Sequence, residues 1–182
     1  MKIYDRNKIG KLIAFGSDHY VFEYENNKVI KFSILFYLLG KKVFKKTKHD
    51  EDLCEKYFGK FLLKTELYIS KNGKHLVQIQ EKINGKGLEE KNLQNKIVKE
   101  NFQEFINCYE KFKNETKLEI DLIGIKGIFL SNLSNIFLTE KNELLIIDAT
   151  ILHVEGYLKI IFYFLEKIIS WRQKVVIEKF LK

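Results

Sequence analysis

Lys31 stands in the run Lys-Val-Ile-Lys-Phe (28–32), after Ile-Ala-Phe-Gly-Ser-Asp-His-Tyr-Val-Phe-Glu-Tyr (13–24), which reads as a glycine-containing turn between antiparallel strands. Such a turn leaves room for a ligand beneath it, and a lysine pointing inward from the next strand places a positive charge there. The combination suits a polyphosphate, although an ordinary β-hairpin has the same pattern. A second group of candidates lies far downstream. Asp148 ends the apolar run Leu-Leu-Ile-Ile (144–147), and a polar turn separates that run from Asn-Ile-Phe-Leu-Thr (135–139). Two small residues follow the aspartate instead of more strand. A carboxylate in that place either closes the strand as a turn residue or reaches toward a ligand.

The elements that must position these residues fall into two kinds. Strands are expected over 11–16, 20–26 and 28–33, with Asn26-Asn27 as a tight turn, and over two further runs joined by an Asn72-Gly73 hairpin turn. Residues 41–58 carry charged helix formers with Val43, Phe44, Leu53 and Phe58, and a helix fits from about Thr47 to the stop at Gly59. The first half is therefore read as a five-stranded antiparallel sheet with one helix inserted. After a turn at Asn84-Gly85 the pattern becomes helical, with Phe102, Phe105, Ile106 and Tyr109 spaced three and four apart. The hairpin around 135–147 and an apolar helix over 157–182 complete an α+β chain.

Composition bounds what such a chain can be. With 182 residues, 46% of them hydrophobic, and 15 Phe and 9 Tyr, there is enough apolar material for a substantial core. The most apolar stretch, 157–171, is broken by Lys159, Glu166 and Lys167, so no membrane span is expected; its aromatic stripe and Trp171 are expected in the core. The N-terminus has no apolar run of signal-peptide length, and a cytoplasmic protein is expected. Cys54 and Cys108 have no metal-ligand or CxxC spacing and read as structural thiols, and the histidines are scattered. The net charge of +8 and the basic run 40–49 could meet phosphate, nucleic acid or anionic lipid. A general bias toward Lys, Asn and Ile accounts for them equally well, so a dedicated nucleic-acid surface is not expected. Gly-x-Ser-x-Gly, HExxH and Walker-type motifs are absent.

The first group of residues resembles the nucleotide-binding lobe of protein kinases, whose G-x-G-x-x-G-x-V loop precedes V-A-I-K. Ala14, Gly16, His19 and Val21 stand at the four signature positions, one glycine of three remaining, and Val29-Ile30-Lys31 matches the lysine motif. The second group resembles the kinase hairpin that begins at a metal-binding Asn and ends at the Asp of D-F-G, here Asn135 and Asp148 with Asp-Ala-Thr in place of D-F-G. This resemblance implies ATP as cosubstrate and Mg2+ held by Asn135 and Asp148. It implies a catalytic base as well. The usual position, five residues before Asn135, is Leu130, whereas Asp121-Leu122 resembles the Asp-Leu of H-R-D-L with a lengthened loop; the alternative makes Asp121 a surface turn residue. Glu51 is the implied partner of Lys31, with Asp52 and Glu55 as neighbouring candidates. Val-Gln-Ile-Gln-Glu-Lys-Ile-Asn-Gly (77–85) resembles the strand and hinge whose backbone holds adenine through Glu81 and Ile83, or is a plain alternating edge strand.

The fold implied is kinase-like and two-lobed, with an N-terminal nucleotide-binding lobe over 1–84 and a truncated, mainly helical C-terminal lobe with a small β-hairpin over 85–182. The activity implied is ATP- and Mg2+-dependent phosphoryl transfer to a protein Ser or Thr hydroxyl, with a small-molecule hydroxyl as an alternative acceptor. A catalytically impaired pseudokinase acting as a scaffold is the rival reading. Little chain follows Asp148 to form an activation segment and further helices, so the last helix is expected to meet a partner protein or a second copy.

Overall fold

The computed structural model describes residues 4–15, 19–33, 41–69, 76–124, 132–153 and 158–182, with helix side chains from 43 and 163 onward. Gly16, Leu130 and the Asn72-Gly73 turn lie outside these residues. The chain divides into two compact units, Met1–His49 with Leu63–Ile83, and Asp50–Leu62 with Asn84–Lys182.

The first unit contains β1 (Ile9–Phe15), β2 (His19–Tyr24), β3 (Lys28–Ser33), β4 (Thr65–Ile69) and β5 (Leu76–Glu81). They form an antiparallel five-stranded sheet in the order β1-β2-β3-β5-β4. Tyr24 pairs with Lys28, so the β2–β3 loop is Glu25-Asn26-Asn27, and Glu25 and Asn27 take positive φ of 50° and 63°. Asparagine tolerates that region better than most side chains, which explains the turn signal. One sheet face packs Tyr24, Ile30, Val77 and Ile79 against Tyr4, with Phe22 and Phe32 meeting edge-on. β5 lies between β3 and β4, so it is an interior strand and not the plain edge strand that its alternation also allowed.

Helix α1 (Lys41–Phe58) begins about a turn and a half before Thr47, because Val43 and Phe44 already contribute half-buried apolar side chains. It stops where Gly59 takes a φ of +25°, strained for any other residue. In the second unit, Asp50, Cys54 and Phe58 of α1 are buried at successive helical turns.

Helix α2 (Lys96–Thr116) starts at Asn95, whose side chain accepts from the amides of Ile97 and Val98, and ends at Lys117 with φ 60°. Its stripe Val98, Phe102, Phe105, Ile106, Tyr109 and Phe112 is buried. Phe58 and Phe61 pack on Phe105 with ring centroids 5.7 and 5.6 Å apart. Helix α3 (Leu158–Phe180) closes the core through Ile169, Val176, Ile177 and Phe180.

The hairpin comprises β7 (Leu133–Thr139) and β8 (Leu144–Ile146), but it belongs to a three-stranded sheet. β6 (Gly85–Leu88) pairs antiparallel with β7, Gly85 opposite Thr139. Gly85 therefore sits in a strand and not in a turn. A Cβ there would lie 2.5 Å from the Leu138 carbonyl oxygen, so glycine permits the close approach of the two backbones.

Two expectations for α3 are corrected. Trp171 is 64% exposed and Phe164 70%, so neither is core. The buried positions are one stripe of the helix, and these aromatic residues lie on another. Among the described residues, no helix is long and apolar enough to cross a membrane.

Candidate functional site

Register across the first sheet gathers several of the chemically interesting residues. Ala14 pairs with Val21, Val21 with Lys31, Lys31 with Gln78, and Gln78 with Leu67, a continuous row from β1 to β4. Residues opposite one another across a sheet share a face, so Ala14, Val21 and Lys31 stand on one side, joined by His19 two residues from Val21. This face is chemically unlike the aromatic one. It carries Ser33, Gln78 and Gln80, which are buried, and Gln80 Nε2 donates to Thr65 Oγ1 at 2.7 Å. The Val-Gln-Ile-Gln alternation was the available signal for Gln78 and Gln80, but it said nothing of which face would be enclosed. Glu81 ends β5 opposite Lys28, and half-buried Ile83 is the last residue of the unit.

In the second unit, three segments distant in sequence come together. The Asp121 carboxylate oxygen Oδ1 accepts from the backbone amides of Gly124 at 2.8 Å and Ile123 at 3.1 Å, holding a tight turn. Leu122 and Ile123 are fully buried while Asp121 itself is half-buried, so its carboxylate holds a turn that carries two core side chains. The Asn135 amide donates from Nδ2 to the Asp121 carbonyl at 2.9 Å, and the Asn135 backbone N–H donates to the Leu122 carbonyl at 3.1 Å. Thus the long interval between Asp121 and Asn135 in sequence is closed by direct hydrogen bonds.

The third segment carries Asp148. Ile147 N–H donates to the Asn135 carbonyl at 3.0 Å, which sets Asp148 one residue beyond the pairing partner of Asn135. Thr150 Oγ1 donates to Asp148 Oδ1 at 2.8 Å. The backbone then runs alongside the first segment: Asp121 N–H donates to the Thr150 carbonyl at 2.8 Å and Leu152 N–H to the Glu119 carbonyl at 2.7 Å.

With Nδ2 committed to the Asp121 carbonyl, the Asn135 amide has a set orientation and Oδ1 is its acceptor end. That oxygen faces Gly124, where an added Cβ would lie 3.1 Å from it and 3.3 Å from Ser134 Oγ. Gly124 also takes a φ of +57°. Glycine is therefore required here both for backbone conformation and to keep the space beside the amide clear.

Two residues that hold this constellation escaped the sequence reading. Gln173 of α3 is 1% exposed and uses its whole amide: Oε1 accepts from Leu122 N–H at 2.7 Å, and Nε2 donates to the Ile120 carbonyl at 3.0 Å and the Tyr109 hydroxyl at 2.8 Å. Burial, reinforced by the nearby Glu119 carboxylate, pushes the Tyr109 phenol well above the ordinary range, so it remains protonated. Asp50 of α1 is also buried, and its Oδ2 accepts from Ile151 N–H at 3.2 Å. Along α1, Glu51 is half-buried whereas Asp52 and Glu55 are exposed. One residue of difference rotates a side chain by about 100°, and nothing in the sequence set Asp50 apart from its acidic neighbours.

Among the described residues, no three His, Cys, Asp or Glu side chains come together as a metal site. The Asn135 amide and the Asp148 carboxylate each offer oxygen of the kind that magnesium prefers. The sequence matches no protein-family model and no curated protein.

Proposed function

We propose that this chain is a minimal, divergent protein kinase-like phosphotransferase that uses ATP with Mg2+. The observation that carries the reading is the meeting of Asp121, Asn135 and the 148–150 segment, with the Asn135 amide oxygen oriented beside Gly124. The element order agrees with a kinase-like two-lobed fold: a five-stranded antiparallel sheet with a helix inserted between its third and fourth strands, then a mainly helical part with a small sheet.

In this reading Asn135 and Asp148 hold magnesium, which when bound neutralises phosphate charge. Lys31 binds the α- and β-phosphates, and Glu51 orients Lys31. Ala14, Gly16, His19 and Val21 line the nucleotide, and the backbone of Glu81 and Ile83 takes adenine. Asp121 accepts the proton of the attacking hydroxyl, that of a protein Ser or Thr or of a small molecule.

A specific observation favours a second reading, the nucleotide-binding pseudokinase. Asp121 Oδ1 is engaged by two backbone amides and so serves the turn. Calorimetric titration with ATP, with and without magnesium, tests both. Magnesium-dependent binding that Asp148→Ala abolishes and Lys31→Ala weakens is the expected result; no binding at about 1 mM ATP would refute the nucleotide site. Asp121→Asn then separates the two readings. It keeps an acceptor for the turn but no base, so turnover should fall with affinity unchanged in an enzyme and neither should change in a scaffold.

A further inference from the structure

Helix α3 has two apolar faces. Ile169, Gln173, Val176 and Phe180 form the buried one. Phe164, Ile168, Trp171 and Val175 repeat the same spacing on the opposite side, and they are 70%, 50%, 64% and 36% exposed. This second stripe runs about 16 Å along the helix at 1.5 Å per residue.

The charges beside the stripe select its occupant. Lys167 and Lys174 flank it on one side; Glu178 lies 3.9 Å from Lys174 with both side chains largely in water, and the Glu119 carboxylate accepts from Ser170 on the helix between the two lysines. Lys167 Nζ sits 5.4 Å from the Tyr163 ring centroid, a cation beside an exposed aromatic. A second copy fits poorly. Antiparallel apposition that matched Phe164 with Val175 and Ile168 with Trp171 would bring Lys167 of one copy beside Lys174 of the other, like charge against like. A ridge of Phe, Ile and Trp with a basic flank, on a helix not apolar enough to span a bilayer, has the pattern of an interfacial helix.

We infer that this face docks on an anionic lipid surface, with Phe164, Ile168, Trp171 and Val175 entering the headgroup boundary and Lys167 and Lys174 meeting the acidic headgroups. The inference does not depend on the kinase-like reading.

Trp171 is the only tryptophan in the chain, so the protein reports on its own stripe. The full-length protein is mixed with phosphatidylcholine vesicles with and without phosphatidylglycerol, and flotation and tryptophan emission are measured. Flotation with the anionic vesicles alone, a blue shift and quenching of Trp171 by brominated lipid are expected. Salt at 1 M, where the Debye length is about 3 Å, should release the protein. Phe164→Ser with Ile168→Ser should weaken binding at least about tenfold, and Lys167→Glu with Lys174→Glu more than about tenfold. Failure to float at low salt, or equal binding to neutral vesicles, overturns the inference. A blue shift that grows with protein concentration without vesicles, unaccompanied by flotation, overturns it in favour of self-association. Full binding by the Phe164→Ser, Ile168→Ser protein overturns it too, because the contact would then lie elsewhere.

Discussion

Replacing Gln173 with leucine tests whether the interior amide holds the Asp121 turn. The substitution keeps approximate volume but strands three groups: the Leu122 N–H, the Ile120 carbonyl and the Tyr109 hydroxyl, each of which now bonds to Gln173. At about 1–2 kcal/mol for each buried polar group left unpaired, the loss is about 3–6 kcal/mol. The leucine returns about 1–2 kcal/mol by placing apolar atoms in a site that is already closed. Net destabilisation should thus be about 2–4 kcal/mol, read as a shift of the urea midpoint followed by circular dichroism. A cycle with Tyr109→Phe isolates the mechanism. In the wild-type background Tyr109→Phe removes one acceptor from Gln173 and should destabilise. In the Gln173→Leu background it removes an orphaned hydroxyl and should stabilise, so the coupling between the two sites should reach about 1–2 kcal/mol. A loss below about 0.5 kcal/mol for Gln173→Leu, or additive effects of the two changes, would refute the reasoning.

Gly124→Ala places a Cβ at positive φ and against the Asn135 amide; a loss of about 1–3 kcal/mol is expected, with weaker magnesium-dependent ATP binding if Asn135 is a ligand. Gly85→Ala should cost at least about 2 kcal/mol in urea unfolding, since its Cβ would meet backbone and β6 and β7 would have to part; unchanged stability would contradict the pairing. The Tyr68 phenol, hydrogen-bonded to the Glu66 carboxylate and partly buried, is pushed up to about 12. Because its folded value exceeds the ordinary one near 10, its contribution to stability is intact below about pH 10 and is lost as pH rises toward 12. Tyr68→Phe should therefore remove a late step from the phenolate absorbance titration and flatten the loss of stability across that window. A lost step at about pH 10, the ordinary tyrosine range, would contradict the Glu66 contact.

How much of this was legible in the chain depends on whether the determining interaction is local. β3 was readable to the residue because an Asn-Asn turn and a run of β-branched and aromatic residues define Lys28–Ser33 on the spot. The stripe of α2 was readable for the same reason, since period and capping are both short-range. By contrast, Gly-Lys-Gly-Leu has no strand propensity, and β6 exists because β7 offers it a backbone partner with no room for a side chain at Gly85. The start of α1 was obscured by a lysine run that hides Val43 and Phe44.

The candidate site divides along the same line. Asn135 and Asp148 flank one hairpin, so their proximity follows from a turn, and Ile147 N–H to the Asn135 carbonyl is its physical expression. Asp121 could be placed beside Asn135 only by resemblance, because the bonds that join them link residues 14 apart in sequence, with no local pattern to set their distance. Asp50 and Gln173 were beyond reach. Each is a polar residue among apolar ones on a helix, and what distinguishes it is a backbone amide or carbonyl that another element leaves unpaired. The two stripes of α3 sharpen the point. Periodicity says that Phe164, Ile168, Trp171 and Val175 share one face and Ile169, Gln173, Val176, Ile177 and Phe180 another, and hydrophobicity alone does not choose between them. The helix buries the face with the glutamine, and that residue satisfies the Leu122 N–H and the Ile120 carbonyl. Backbone hydrogen bonding therefore favours that orientation of α3, and the Phe164–Trp171 face is left to the solvent side.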